Sequence, residues 1–169
     1  MKKLLIFPFL LSLIIIFGCD AISNLTKGDP PILTEIGKVI STNKFEIEVQ
    51  SIETSNHVGN EFFNSKPAEG ALFITVIYTY KNISKKPIGM FSFPDAKLID
   101  SEGTEYDKSD EATVNFGIQI KETEKVTSDL NPGIKVKSGV VFEIAKEYWN
   151  KSNWKLRIDA DKTIEINVN

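Results

Sequence analysis

The stretch LFITVIYTY, residues 72–80, decides the fold class because it is largely apolar on both of its faces. β-Branched and aromatic residues dominate it, and such residues favour extended backbone. Successive side chains of a strand point to opposite faces of the sheet. One face would carry Leu72, Ile74, Val76, Tyr78 and Tyr80, and the other Phe73, Thr75, Ile77 and Thr79. We therefore predict a central strand that is covered on both sides.

Shorter alternating stretches surround this strand along the chain. Phe45, Ile47 and Val49 alternate with polar residues, which is typical of a half-buried strand. Further short strands are predicted around Ile88 and Met90, Ala96–Ile99, Tyr106, Phe116–Ile120, Val140–Ile144, Leu156–Ile158 and Ile164–Val168. Residues 147–152 are predicted to form a helical turn, and no long amphipathic helix is expected. About eight short strands separated by turns favour an all-β sandwich or barrel.

The first nineteen residues predict export and lipid attachment. Lys2 and Lys3 precede an uncharged stretch, residues 4–18, which is too short to cross a bilayer but suits a signal peptide. Residues 16–19, Ile-Phe-Gly-Cys, resemble the lipobox of bacterial lipoproteins, with Phe17 bulkier than that position usually holds. This resemblance implies a diacylglyceryl thioether on Cys19. A core cysteine and an unpaired thiol are the other interpretations of this lone cysteine.

These features divide the chain into three parts. Residues 1–18 are the predicted signal peptide, residues 19–33 a lipidated flexible tether, and residues 34–169 the sandwich domain. We expect the protein in the bacterial cell envelope, on the extracytoplasmic side, anchored to the membrane through the lipid on Cys19. In a Gram-negative cell, Asp20 resembles the signal that retains a lipoprotein at the inner membrane, facing the periplasm.

The charge balance argues against one class of partner. The chain has 20 Lys and Arg against 23 Asp and Glu, a net charge of −3, and loss of Lys2 and Lys3 with the leader lowers it to −5. Because nucleic-acid phosphates demand a basic face, we expect no nucleic-acid partner. With Cys19 acylated, no thiol is left for a disulfide or a thiolate metal site, and we expect no cofactor.

Two groups of residues are candidate sites. Asp107, Asp110 and Glu111 cluster in the sequence and offer the oxygen ligands that calcium prefers, although their spacing is not that of an EF-hand. Tyr148, Trp149 and Trp154 form an aromatic group of the kind that anchors protein interfaces. The alternative for this second group is that one tryptophan fills the core and the other covers it.

The sequence shows no catalytic constellation. Ser41 and Lys44 match the S-x-x-K pattern of serine acyl-enzymes, but Lys44 opens a predicted strand, on which residues three apart point to opposite faces. His57 is the only histidine, and nothing in the sequence brings a serine and an aspartate to it. We therefore assign no catalytic residue and expect that the protein is not an enzyme.

Three blocks of the chain resemble one known family. They are GALFITVIYTYKNISKKP (70–87), DAKLIDSEGTEY (95–106) and LNPGIKVKSGVVFEI (130–144). The chain is similar here to a domain-of-unknown-function family of bacterial lipoproteins, some of which are misnamed telomeric repeat-binding factor. Their relatives are the immunoprotective extracellular proteins of mycobacteria. The resemblance implies an immunoglobulin-like β-sandwich and brings no catalytic residues.

The function expected from these features is a membrane-anchored, non-catalytic interaction module. Its partner would be an envelope protein or a glycan, bound by loops, by an exposed aromatic patch or by an edge strand. The alternative is a lipoprotein that binds a small ligand or a cation such as calcium, for which the loop near Asp107 is the feature to examine. A hydrolase is the weakest of the three hypotheses.

Overall fold

The computed structural model describes residues 29–121 and 128–168, in which the chain forms eleven strands and two α-helices. The strands are β1 (Ile32–Thr34), β2 (Val39–Ser41), β3 (Phe45–Ser55), β4 (Val58–Gly59), β5 (Asn64–Ser65), β6 (Ala71–Asn82), β7 (Asp95–Ile99), β8 (Glu105–Tyr106), β9 (Lys135–Ala145), β10 (Lys155–Asp159) and β11 (Thr163–Asn167). The helices are α1 (Asp110–Ile120) and α2 (Lys146–Lys151), and a 3₁₀ turn spans Met90–Ser92.

Two sheets form a β-sandwich. A five-stranded sheet has the order β1-β11-β10-β7-β8, and a four-stranded sheet has the order β2-β3-β6-β9. All neighbours are antiparallel except β1 and β11, which run parallel. The β4-β5 hairpin pairs only with itself. The predicted fold class, an all-β sandwich, is confirmed.

The main core lies between the two sheets and is filled from the strands predicted to alternate. Fully buried side chains from both sheets meet there, including Phe45, Phe142, Leu98 and Leu156. The strand β6 is central, as predicted, because it pairs with β3 along one edge and with β9 along the other. Its Ile74, Val76, Tyr78 and Tyr80 face this core.

The second face of β6 is covered by a helix that the sequence analysis did not predict. Phe73 of β6 and Val141 of β9 form a smaller cluster with Ala112 and Phe116 of α1. Ala112, Phe116 and Ile120 recur every four residues, so they lie on one side of α1, whereas Ile118 points to solvent. The predicted strand around Phe116–Ile120 was therefore wrong, because residues 116 and 120 share a face in a helix as well as in a strand.

Local signals explain where α1 begins and ends. Asp110 and Glu111 occupy its first turn, where carboxylates are favoured by the helix dipole. Lys121 closes it in a left-handed conformation with φ 52°. The helix can lie close to β9 because Gly139 has no side chain at the contact: a Cβ there would be 2.6 Å from Ile120 Cδ1 and 2.8 Å from Phe116 Cδ1.

Two further expectations differ from the structure. Met90 lies in the 3₁₀ turn and not in a strand, and Ile88 makes only a single bridge, to Leu130. Strand β1 begins at Ile32, so Ile32 and Leu33 belong to the sheet and not to the predicted tether. The helical turn near residues 147–152 is confirmed as α2.

The leader and Cys19 lie outside the described residues. Within residues 29–121 and 128–168, neither helix has the length and apolar character that a membrane crossing requires.

We predict that Gly139→Val destabilises the domain by about 1–3 kcal/mol, because the added side chain overlaps Phe116 and Ile120 and forces α1 outward. Urea denaturation followed by tryptophan fluorescence measures the change. Lys135→Val is the matched control, since Lys135 is exposed on the same face of β9, and it should change stability by less than about 0.5 kcal/mol. Equal stability of the two variants would contradict the close packing of α1.

Candidate functional site

A groove runs along the β9 side of the sandwich, and we call it the side groove. It has a volume of about 480 Å³. One wall is the segment that contributes Met90, Phe91, Phe93, Pro94 and Asp95. The opposite wall holds Lys108 and the first half of α1, with Thr113 and Val114. The sheet supplies the floor, with Tyr78, Tyr80, Val136, Ser138, Gly139 and Val140.

The floor of the side groove is held by contacts between side chains. The Tyr78 hydroxyl donates a hydrogen bond to the Pro94 carbonyl oxygen at 3.2 Å, which ties β6 to the segment across the groove. The rings of Tyr80 and Phe93 lie with centroids 5.6 Å apart, and those of Tyr78 and Tyr80 lie 6.0 Å apart. Aromatic pairs at these distances stabilise each other beyond the area they bury. A partner would therefore meet a preformed surface.

The rim of the side groove is apolar and exposed. Phe91 has 97% of its surface accessible, and Val114 on the facing wall has 64%. Met90 is exposed beside Phe91. One charged pair lies in the groove, where Lys108 Nζ is 2.6 Å from Asp95 Oδ1. The arrangement can hold an apolar side chain and offer polar contacts beside it.

Asn82 fixes the loops that lead to the wall of the side groove. It is fully buried, and its Nδ2 donates to the carbonyl oxygens of Lys86 at 2.8 Å and Leu130 at 2.7 Å. Its Oδ1 accepts from the backbone nitrogen of Ser84 at 2.8 Å and from the Ser84 hydroxyl at 2.7 Å. This side chain thus joins the end of β6 to the loop at 84–86 and to Leu130. The 3₁₀ turn follows that loop along the chain.

The acidic residues singled out in the sequence do not converge. Asp107 lies 4.0 Å from Lys97 Nζ, while Asp110 and Glu111 occupy the first turn of α1. Glu111 Oε1 accepts from the Ser65 hydroxyl at 3.4 Å. Among the described residues, no group of three or more acidic, histidine or cysteine side chains could hold a metal ion. Asp110 and Glu111 stabilise the N-terminus of α1, and Glu111 also contacts the β4-β5 hairpin through Ser65.

The aromatic candidates divide between the core and the surface. Trp154 is fully buried, and its ring lies 5.4 Å from that of Trp149 and 5.1 Å from that of Tyr106. Trp154 Nε1 donates to the Trp149 carbonyl oxygen at 3.2 Å. Trp149 packs over the core from α2, and Tyr148 is exposed on the same helix. Only Tyr148 of the three presents its side chain to a partner.

The outer face of the five-stranded sheet carries a charge-compensated network. Glu105 lies 2.6 Å from Arg157 Nη1 and 2.9 Å from Lys97 Nζ, and Arg157 also contacts Asp159 at 3.1 Å. Hydrogen bonds from Arg157 and then Lys97 lower the pKa of Glu105 below its ordinary value. Because these charged groups pair with one another, this face offers a partner less to bind than the side groove does.

The side groove escaped the sequence analysis because no single stretch encodes it. One wall comes from a 3₁₀ turn, where a strand was predicted around Met90, and the other from the first half of α1, where no element was predicted. One signal of the groove was present in the sequence: two phenylalanines, Phe91 and Phe93, lie between Gly89 and Pro94. The turn Met90–Ser92 has only three residues and buries none of them, so Phe91 remains on the surface.

The chain belongs to the DUF4352 family, a domain of unknown function, whose model matches residues 34–164. The described sandwich spans nearly all of that range. The resemblance stated from the three sequence blocks is therefore confirmed. The family description names no activity or ligand.

Similar proteins share the sequence or the sandwich. The uncharacterized protein YxkC of Bacillus subtilis (strain 168) is 42% identical over 132 residues, which cover 78% of this chain and 73% of that protein. A conserved hypothetical protein from Bacillus anthracis has a crystal structure that matches with a TM-score of 0.70 at 26% identity, covering 78% of this chain and 93% of that one.

Two more distant structures show the same fold. An uncharacterized β-sandwich protein from Clostridium difficile 630 matches with a TM-score of 0.61 at 18% identity, over 85% of this chain and 97% of that one. A Bacillus subtilis protein described as a "putative lipoprotein (ycdA)" matches with a TM-score of 0.54 at 14% identity, over 80% of this chain and 39% of that one.

We predict that Asn82→Ala destabilises the domain by about 1–3 kcal/mol, because a buried side chain that makes four hydrogen bonds to the surrounding loops is lost. Thermal and urea unfolding measure the loss. Asn56→Ala is the control, because Asn56 is exposed in a bend and should change stability by less than about 0.5 kcal/mol. A neutral Asn82→Ala would show that the loops hold their positions without this side chain.

Proposed function

We propose that this protein is a lipid-anchored envelope protein whose β-sandwich binds a partner protein through the side groove and carries out no chemistry. The observation that carries the proposal is a packed aromatic floor beneath an exposed apolar rim, between a turn and a helix that face each other. Apolar pockets with a few fixed polar groups are the usual form of a binding site.

The geometry favours a protein side chain over a sugar ring. Glycan binding commonly uses the open face of an aromatic ring, but Tyr78 and Tyr80 expose only 3% and 6% of their surfaces. Phe91 is the one widely exposed ring at the groove. An apolar side chain could instead enter between Met90 and Val114, while Lys108 and Asp95 contact its backbone or a polar neighbour.

Lipid anchoring at Cys19 is supported by the leader. The positive start, the short apolar stretch and the lipobox-like residues 16–19 together specify export followed by acylation. Two acyl chains provide the stable attachment that one chain does not. The description of the Bacillus subtilis sandwich as a "putative lipoprotein" is consistent with this proposal.

A small apolar ligand in the same groove is the second candidate. The volume of about 480 Å³ falls within the range of pockets that take small molecules, roughly 300–1,000 Å³. A cation carrier is less well supported, because no group of three or more acidic, histidine or cysteine side chains among the described residues could hold a metal ion. Photocrosslinking separates the protein partner from the small ligand, since only the former adds a polypeptide mass.

We predict that a diazirine amino acid at position 114 forms a discrete protein adduct in the native host, because Val114 stands on the rim of the side groove. Mass spectrometry of the crosslinked product identifies the partner. The same amino acid at position 39 is the matched control, since Val39 is 52% exposed on β2, away from the groove. Equal labelling at both positions, or none at 114, would contradict the proposal.

We predict that Cys19→Ser moves the protein from the membrane fraction to the soluble extracytoplasmic fraction, because the substitution removes the acylated thiol. Intact-mass spectrometry of the wild-type protein from its host should show a chain that begins at Cys19 and carries lipid. An unprocessed Met1, or a free thiol at position 19 in a membrane-bound protein, would refute the anchoring.

A further inference from the structure

The position where the described chain begins defines one end of the sandwich, which we call the tether end. Ile32 pairs with Ile164 in the parallel β1-β11 ladder, so residues 29–31 lie beside the turn at 160–162. Asp161 in that turn accepts hydrogen bonds from Thr42 Oγ1 at 2.6 Å and from the Asn43 backbone at 2.9 Å. The β2-β3 turn therefore lies at the tether end too.

The loop after β6 lies at the same end. The backbone nitrogen of Ile83 donates to the Lys44 carbonyl oxygen at 2.9 Å, which places residues 83–87 beside the β2-β3 turn. A cleft of about 370 Å³ is lined by Lys44 and Phe91 together with Asp161. The tether end thus combines three turns with the most exposed aromatic side chain of the described residues.

The surface of the tether end combines an exposed phenylalanine with exposed lysines. Phe91 is 97% exposed, and Lys44, Lys85 and Lys86 are exposed at the same end. The carboxylates at this end are Asp29, Asp95, Asp129, Asp159 and Asp161. Asp95 pairs with Lys108 and Asp159 with Arg157, while Asp161 accepts from Thr42 Oγ1 and from the backbone nitrogens of Asn43 and Lys44. Three exposed lysines thus stand with two carboxylates, Asp29 and Asp129, that take no part in these contacts.

We infer that the tether end seats on an anionic lipid surface, with Phe91 at the headgroup boundary and Lys44, Lys85 and Lys86 facing lipid phosphates. Apolar side chains such as phenylalanine insert at the headgroup boundary of surface-bound proteins, and lysines near an anionic leaflet are attracted to it. The inference rests on the proposed lipid anchor for its setting. Only twelve residues separate Cys19 from Ile32, a span of about 45 Å at most, so the anchor keeps this end within that distance of the bilayer.

Because the lipid anchor keeps the domain near the bilayer, even a weak contact between the tether end and the lipid can orient it. A linked second contact forms at an effective concentration set by the linker, which for short linkers reaches the millimolar range. One phenylalanine and three lysines would not hold the free protein on a membrane, but they could orient a protein that is already attached.

The experiment couples the mature chain, residues 19–169, to vesicles through its single cysteine. A maleimide-headgroup lipid reacts with Cys19, so the test does not depend on lipidation in the host. The vesicles contain phosphatidylcholine with 30% phosphatidylglycerol, and amide hydrogen exchange is read over residues 42–44 and 83–94. We expect at least a fivefold slowing in these segments relative to the uncoupled chain, and no slowing over residues 60–63.

Two variants test the residues. Phe91→Ser and the double variant Lys85→Gln, Lys86→Gln should each lose most of the slowing, and 0.5 M salt should weaken it. Phe62→Ser and Lys66→Gln are the matched controls, because Phe62 is 85% exposed and Lys66 is exposed, both near the β4-β5 hairpin. These controls should exchange like the wild type.

Three results would overturn the inference. The first is the same exchange for coupled and uncoupled chains. The second is slowing confined to another surface, such as the hairpin tip at residues 60–63. The third is slowing that grows with the density of protein on the vesicle, which would assign the tether end to a second copy of the chain. A free thiol at Cys19 in the host would refute the lipid anchor alone, without changing the vesicle result.

Discussion

The structure depends on one strand being buried on both of its faces. Residues 72–80 of β6 place Ile74 and Val76 in the core between the sheets, and Phe73 and Ile77 against α1. Each apolar face removed from water stabilises the fold by roughly 25 cal/mol per Å². Neither face could be left open, so the four-stranded sheet must be covered by the five-stranded sheet on one side and by a helix on the other. The sandwich and its extra layer have the same cause.

The extra layer is also what creates the side groove. Because α1 covers only part of the outer face and lies over Gly139, its first half stands beside the edge of β9. The 3₁₀ turn stands on the other side, held by the bond from Tyr78 to Pro94 and by the loops around Asn82. A binding surface thus arises where two covering elements stop short of each other, and such junctions between elements are common places for ligand sites.

The sequence predicted the sandwich well, because its strands repeat with a period of two and each apolar face is complete. The prediction failed where the same apolar residues fit both the spacing of a strand and the spacing of a helix. Phe116, Ile118 and Ile120 alternate like a strand, but Ala112, Phe116 and Ile120 also fit the face of a helix, and Gly139 leaves the room that the helix needs against β9. That glycine lies about twenty residues away in the sequence, so local patterns could not reveal it. The groove was hidden for the same reason, since its two walls meet only in the folded chain.

The wall of the side groove and the tether end share one segment. Residues 88–95 present Phe91 to the outside while Phe93 packs on Tyr80 at the floor of the groove. Because the bond from Tyr78 to Pro94 and the loops around Asn82 already hold this segment in place, a contact of Phe91 with lipid would not need to reshape the groove. Under the two proposals, the membrane contact would instead set the direction in which a preformed groove is presented to a partner.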